Sequence, residues 1–336
     1  KPIPNQSKTA VLLVNFGGPD SLRSVKSFLY NLFSDPKIIN LPFPLRKLVA
    51  WMISTSRNKA SSEMYKRIGG ISPLIPITYL QAEKLQKLFN VNNILLDVFI
   101  GFRYCKPFIE DVLSELKDKG YEKIVILPLY PQYSYTTTGS TELVINEWKR
   151  KNKYENIFFI KNWHKDEDYT QAYVNLINKA CEHLDLRRTE IIFSAHSIPV
   201  SNIEKGDPYE NHIKETADLI VKKLGWKKPW HIAYQSKLGP VKWLEPSCEF
   251  VIEEIAKKNP NTNILVVPVS FTCEHVETIY EIGILYKEMA NKQGIKTFRR
   301  VPALNTDKFL IQALYNQVVN CLEDNKINFK ELLLTK

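Results

Sequence analysis

The chain has 336 residues, 46 basic against 36 acidic side chains for a formal charge of +10, and 44% hydrophobic and 24% charged residues. That composition is ordinary for a globular protein, and the length suits about two domains, each able to bury a core. No apolar run approaches the roughly 18–20 residues of a membrane span, and no zinc finger, RNA-binding signature or basic stripe interleaved with aromatics points to nucleic acid.

Strand-like and helix-like runs alternate from the start. Thr9 to Asn15 predicts a strand, followed by a Gly-Gly-Pro turn and a helix from about Ser21 to Phe33. Residues 39–55 stand apart: they are strongly apolar, broken by Pro42 and Pro44, and carry Arg46, Lys47 and Trp51. They fit either a core helix or an amphipathic lip over a membrane surface or a greasy substrate. Ile94 to Ile100 predicts a second strand, with a helix from about Lys106 to Lys119, and Ile124 to Leu129 a third. From Asp166 to Leu184 the apolar residues fall at helical spacing, predicting a connecting helix. The plan then repeats, with strands at Glu190 to Phe193, His231 to Gln235 and Ile264 to Val269, and helical spacing again from Asp307 to Leu322.

This βαβ rhythm predicts an α/β fold of two similar doubly wound, Rossmann-like domains with parallel sheets and a cleft between them. The expected boundaries are 8–150 for the first domain, with a lip at about 39–73, and 151–187 for the connecting helix region. The second domain is expected at 188–304, and a C-terminal helix packing back on the body at 305–330.

Ser194-Ala195-His196-Ser197-Ile198-Pro199 follows the apolar run Ile191-Ile192-Phe193. A histidine just past a buried strand sits where open α/β sheets place their chemistry, at the carboxyl ends of the strands. After the Ile264 strand come His275, Glu277 and Glu281, and on a helix the two carboxylates four apart share one face. Imidazole can accept a proton near neutrality or ligate a borderline metal. These residues therefore fit a proton-handling or metal-handling site, although most glutamates simply decorate surfaces. No GxGxxG follows a strand and no GxxxxGK[ST] is present, so nothing supports a nucleotide site.

Eight segments in order carry a stronger signal. They are Val14-Asn15-Phe16-Gly17-Gly18-Pro19, Tyr65 to Pro73, Gly101-Phe102-Arg103-Tyr104, and Tyr130 to Ser134 leading to Thr137-Thr138-Gly139-Ser140. The His196 turn, Gly206-Asp207-Pro208-Tyr209, Gln235 to Pro240 ending near Trp243-Leu244, and the Glu277 helix complete them. In this series the chain resembles the ferrochelatases, which insert iron(II) into a porphyrin to make haem, from about Thr9 to about Val319.

The resemblance implies that His196 and Glu277 act at the metal–porphyrin site, with Glu281 continuing an acidic path for metal and His275 in support. It implies that Arg57, Tyr65 and Ser72 hold propionates, and that Arg103 and Tyr104 approach the deep side of a porphyrin. Phe16, Tyr130, Tyr133 and Trp243 are candidate walls for a flat apolar macrocycle. Leu285 and Gly283 stand where family members often carry further acids, so the acidic line is short here. The implied substrates are Fe2+ and protoporphyrin IX, to which Phe16 leans, with coproporphyrin III, another divalent metal, or non-catalytic tetrapyrrole binding as alternatives.

Some family members carry an iron–sulfur cluster on a cysteine-rich C-terminal extension. Cys105, Cys181, Cys248, Cys273 and Cys321 are scattered singly with no CxxC, so no cluster, no tightly bound cofactor and no disulfide framework is expected. Lys1 to Ser7 is polar and resembles no signal peptide. A cytoplasmic place is expected, with peripheral contact to anionic membrane conceivable from the basic charge. An origin in an organelle after loss of a presequence, and the oligomeric state, stay open.

Overall fold

β1 (Thr9–Asn15) is buried at every residue and lies between β2 (Asp97–Phe102) and β3 (Lys123–Pro128), with β4 (Ile157–Phe159) beyond β3. Every pairing is parallel, with Leu13 opposite both Ile100 and Leu127. The computed structural model describes residues 8–327 and Leu332. A second four-stranded parallel sheet repeats the order: β6 (Trp230–Gln235), β5 (Thr189–His196), β7 (Asn263–Pro268) and β8 (Thr297–Arg300). The fold is thus α/β with two doubly wound halves, as the strand–helix rhythm predicts.

The helices are α1 (Val25–Phe33), α2 (Phe43–Arg67), α3 (Leu74–Val91), α4 (Ile109–Asp118), α5 (Thr138–Asn152) and α6 (Glu167–Cys181). They continue as α7 (Val200–Glu204), α8 (Tyr209–Leu224), α9 (Cys248–Lys258), α10 (Lys287–Lys292) and α11 (Lys308–Asp324). A π-helix, Glu277–Tyr286, leads into α10.

Three local readings change. The strand expected to begin at Ile94 begins at Asp97, because the Ile94 amide closes the end of α3 on the Phe89 carbonyl. Pro42 divides the 39–55 segment into a loop and α2, and Pro44 does not break the helix. Pro42 caps α2 and Pro44 lies in its first turn, where the missing N–H has no helical partner to lose. His196 does not follow its strand but ends it, paired with Gln235.

The two halves share a core rather than each burying its own. One continuous cluster joins Leu13 and Leu127 of the first sheet to Ile191, Phe193 and Leu265 of the second through α3, α6, α8 and α11. The helix expected as a connector, α6, is its centre: Tyr169, Ala172, Tyr173 and Ile177 are fully buried. Smaller clusters cover the outer faces, under α4 and α5 on one sheet and under α9, the π-helix and α10 on the other. α11 packs on α6 and α3, and residues 328–330 of the expected C-terminal region lie outside the described residues.

Candidate active site

The switch point of a doubly wound sheet lies at the carboxyl ends of its strands. In the second sheet it falls between β5, which ends on His196, and β7, whose turn carries His275 into the π-helix. Three main-chain and side-chain bonds hold His196. Its amide donates to Ser270 Oγ at 3.1 Å, its carbonyl accepts from Tyr209 Oη at 2.9 Å, and Nδ1–H donates to the Ser197 carbonyl at 2.7 Å. With Nδ1 so engaged, the neutral ring carries its lone pair on Nε2. Burial pushes the His196 pKa down, against the opposing pull of the Ser197 carbonyl and of Glu281.

His275 is buried, and its pKa is pushed down to about 4, first by burial and then by the neighbouring His196. The two imidazoles are therefore not charged together. His275 Nδ1 lies against Glu277 Oε2, and neither atom has a hydrogen-bond partner by geometry among the described residues. The Glu277 side chain is one-fifth exposed, although its Oε2 is buried against His275.

Glu281 is engaged differently from expectation. It accepts from Gln235 Nε2 at 2.9 Å, the Ser236 amide at 3.0 Å, Ser236 Oγ at 2.5 Å and Tyr286 Oη at 3.0 Å. A carboxylate offers about four lone-pair sites, so protein donors already take up this one. Among the described residues no group of three or more His, Cys, Asp or Glu side chains is set to hold a metal ion. Glu281 thus holds the site's frame, tied by its protein donors beside His196 and Glu277, the other two residues of the expected metal set.

The carrier of both glutamates is also wider than an α-helix. Its hydrogen bonds run i→i+5 from Glu277 to Tyr286, a form concentrated at functional sites. Gln235, fully buried, braces it by donating to the Glu277 carbonyl at 3.1 Å while accepting from Ser194 Oγ. Glu274, also buried, braces the preceding turn through Arg300 Nη1 at 2.7 and 2.9 Å and the Ala303 amide at 3.1 Å. No neighbouring residue marks Glu274 in the sequence, because its partner Arg300 lies 26 residues further on.

The opposite wall is built from the first sheet. Phe16 follows β1, its ring 4.7 Å from Tyr104 and 6.5 Å from His275, both edge-on. Gly17 takes a φ of +90° against Cys105, and a Cβ on Gly18 would come within 2.4 Å of Ser72. These two glycines therefore close the turn and let the 70–73 segment approach it.

Tyr104 does not present its hydroxyl to a ligand. It is buried and donates to Asp35 at 2.8 Å, and burial raises its pKa. Arg103 reaches the same carboxylate at 2.9 Å and donates through Nε to Ser140 Oγ at 2.8 Å. Asp35, wholly buried, thus orients the pair expected to contact the substrate, and no local feature of the sequence marks it. Tyr65, another expected propionate contact, is also buried, packed with Phe28, Ala50 and Tyr104.

Ser72 is buried with its Oγ unpartnered among the described residues, whereas Arg57 is exposed on α2. Tyr130 is half-buried near Thr141, its phenol pushed up to about 12 by burial. Trp243 bridges to Pro199 beside the His196 turn, and its buried Nε1 has no partner among the described residues.

Comparison with solved structures bears on the fold. The sirohydrochlorin chelatase SirB from Bacillus subtilis subspecies spizizenii, in complex with cobalt, superposes with a TM-score of 0.57. It is 12% identical and the match covers 96% of this chain and 98% of SirB, so the shared feature is the two-lobed chelatase fold. A family model described as Ferrochelatase matches residues 8–322. The ferrochelatase of Trichodesmium erythraeum (strain IMS101) is 44% identical over 98% of this chain and 87% of its own length. That of Synechococcus elongatus (strain ATCC 33912 / PCC 7942 / FACHB-805) is 42% identical over 97% and 86%. The chain belongs to the ferrochelatase family, metal chelatases of the lyase class that act on porphyrin in haem biosynthesis. No described helix is long and apolar enough to cross a membrane.

Proposed function

We propose that this enzyme inserts Fe2+ into protoporphyrin IX, forming haem and releasing the two pyrrole protons. The observation that carries the reading is the state of His196. It is held neutral by burial and fixed in one tautomer by Ser197, with its lone pair on Nε2 and His275 as a neighbour. A base in that state takes a pyrrole N–H proton without first losing one of its own. Glu277 receives protons in turn and passes them to solvent, being partly exposed while His196 is not free to move. Metal insertion then replaces two N–H bonds by metal–nitrogen bonds, so charge balances with Fe2+ as the only metal consumed. Iron enters as substrate, and the reading includes no resident cofactor or iron–sulfur cluster.

Phe16 and Trp243 supply apolar wall, and Ser72 Oγ and the exposed Arg57 remain available to carboxylate tails. Phe16 supports protoporphyrin over coproporphyrin, because coproporphyrin-using relatives typically carry tyrosine there. α2 lies against a lipid surface in this reading, consistent with an apolar substrate.

Iron insertion assayed with protoporphyrin IX and coproporphyrin III side by side tests the substrate. Faster haem formation from protoporphyrin IX is expected, and the reverse ratio reassigns it. His196→Ala is expected to abolish insertion while porphyrin binding, followed by fluorescence quenching, stays within about tenfold, or about 1.4 kcal/mol. Near-normal insertion by that variant rejects the role of His196.

A further inference from the structure

A cavity of about 620 Å³ opens on the side of the π-helix away from β5, between α6, the π-helix and β8. Its size is that of a small-molecule site. Four cations line it, Lys179, Lys287, Arg299 and Arg300, and no carboxylate does. Among these, only Arg300 has an ion-pair partner among the described residues, Glu274. The floor is apolar, with Ile279 and Ile284 from the π-helix and Phe298 from β8.

We infer that this cavity binds a long-chain carboxylate, its head among the cations and its chain over the apolar floor. Four cations without a lining anion create a positive field that a bound anion relieves. Guanidinium groups pair planar carboxylates through two parallel hydrogen bonds. Arg300 uses Nη1 for Glu274, and Arg299 uses Nη1 for the carbonyls of Ala180 and Glu182, so each keeps further N–H groups for a ligand. Gly283 gives Arg300 its place: a Cβ there would come within 3.3 Å of Arg300 Nε, so the guanidinium stem lies flat across the π-helix. A free inorganic anion would leave the apolar floor wet, and a neutral chain would leave the cations uncompensated.

The site also touches the catalytic turn. Glu274, the partner of Arg300, accepts from Thr278 Oγ1, and the His275 amide donates to that same Oγ1 at 2.9 Å. A ligand that draws on Arg300 therefore acts on the turn that carries His275.

Calorimetric titration of the intact enzyme with dodecanoate tests the site, with acetate and dodecyl maltoside as the head-only and chain-only probes. Dodecanoate is expected to bind saturably at one site, and the two partial probes not to saturate at the same concentrations. Lys179→Ala combined with Lys287→Ala is expected to weaken dodecanoate binding by about tenfold or more while metal insertion without dodecanoate stays unchanged. The inference is overturned by no saturable dodecanoate binding, by equal binding of acetate or of dodecyl maltoside, or by undiminished binding in the double variant.

Discussion

Glu281 takes both hydrogen bonds that Ser236 can donate, from its amide at 3.0 Å and its Oγ at 2.5 Å. Ser236 adopts a φ of +66° to do so, a left-handed conformation that costs a non-glycine residue of order 1 kcal/mol. The carboxylate thereby ties the segment after β6 to the π-helix, while Glu277, one turn earlier, stays loosely held next to His275.

Opposite consequences are expected from removing the two charges. Glu281→Gln leaves several donors facing an amide, and each hydrogen bond to a charged group contributes about 1.5–3 kcal/mol. Its melting temperature should fall by several degrees. Glu277→Gln should melt within about two degrees of the parent yet lose roughly a hundredfold or more in kcat, the scale of one acid–base group. Calorimetric melting and steady-state rates on both variants check this, and the reverse pattern would make Glu281 the working carboxylate.

Asp35 should matter for stability through Arg103 and Tyr104. Its side chain is wholly buried and accepts from Arg103, Tyr104, Ser140 and the Lys37 amide. Breaking a buried ion pair by removing one partner costs about 3–5 kcal/mol, because the other charge is stranded. Asp35→Asn should therefore lower the unfolding free energy by that order in denaturant titration. Combining it with Arg103→Met should recover part of the loss, whereas additive losses would mean that the two side chains are not coupled.

Acid should destabilise the protein in part through a second histidine pair. His164 and His212 stack at 3.8 Å, His164 Nε2 meets Glu215 at 2.7 Å, and Lys165 meets the same carboxylate at 2.9 Å. The Tyr133 amide donates to His212 Nδ1 at 3.1 Å, so the folded state needs that nitrogen unprotonated. Burial, with His164 beside it, pushes the His212 pKa down to about 4, from about 6.5 in the unfolded chain. Below about 6.5 the unfolded chain binds a proton that the folded one refuses, so stability is full above that pH and falls as pH drops toward 4. His212→Gln keeps an acceptor for Tyr133 and should flatten the fall of melting temperature between pH 6.5 and 4.5. An unchanged slope would assign the acid sensitivity to other groups.

α2 should dock on anionic lipid. Phe43, Leu48 and Trp51 are 64%, 52% and 54% exposed. Lys47 lies 5.7 Å from the Phe43 ring and Lys26 6.0 Å from the Trp51 ring, placing cations beside the apolar face. That pairing suits an interfacial helix. Leu48→Ser with Trp51→Ser should leave folding intact, since both side chains face solvent, and should reduce co-sedimentation with vesicles containing anionic lipid. Unchanged co-sedimentation would show that the segment does not meet the bilayer.

The strand–turn–helix rhythm, the parallel sheets, the place of His196 at a strand end and the family itself were legible from local patterns. A buried strand must be apolar along its length, and a turn that closes tightly needs glycine or proline, so both leave a mark in neighbouring residues. What Glu281, Asp35, Tyr104 and Glu274 do was decided only in three dimensions. Their partners lie far along the chain: Ser236 is 45 residues from Glu281, and Asp35 is 69 from Tyr104. A carboxylate that binds metal and one that anchors a loop are the same letter in the sequence. The donors that tertiary folding brings within hydrogen-bond distance distinguish them.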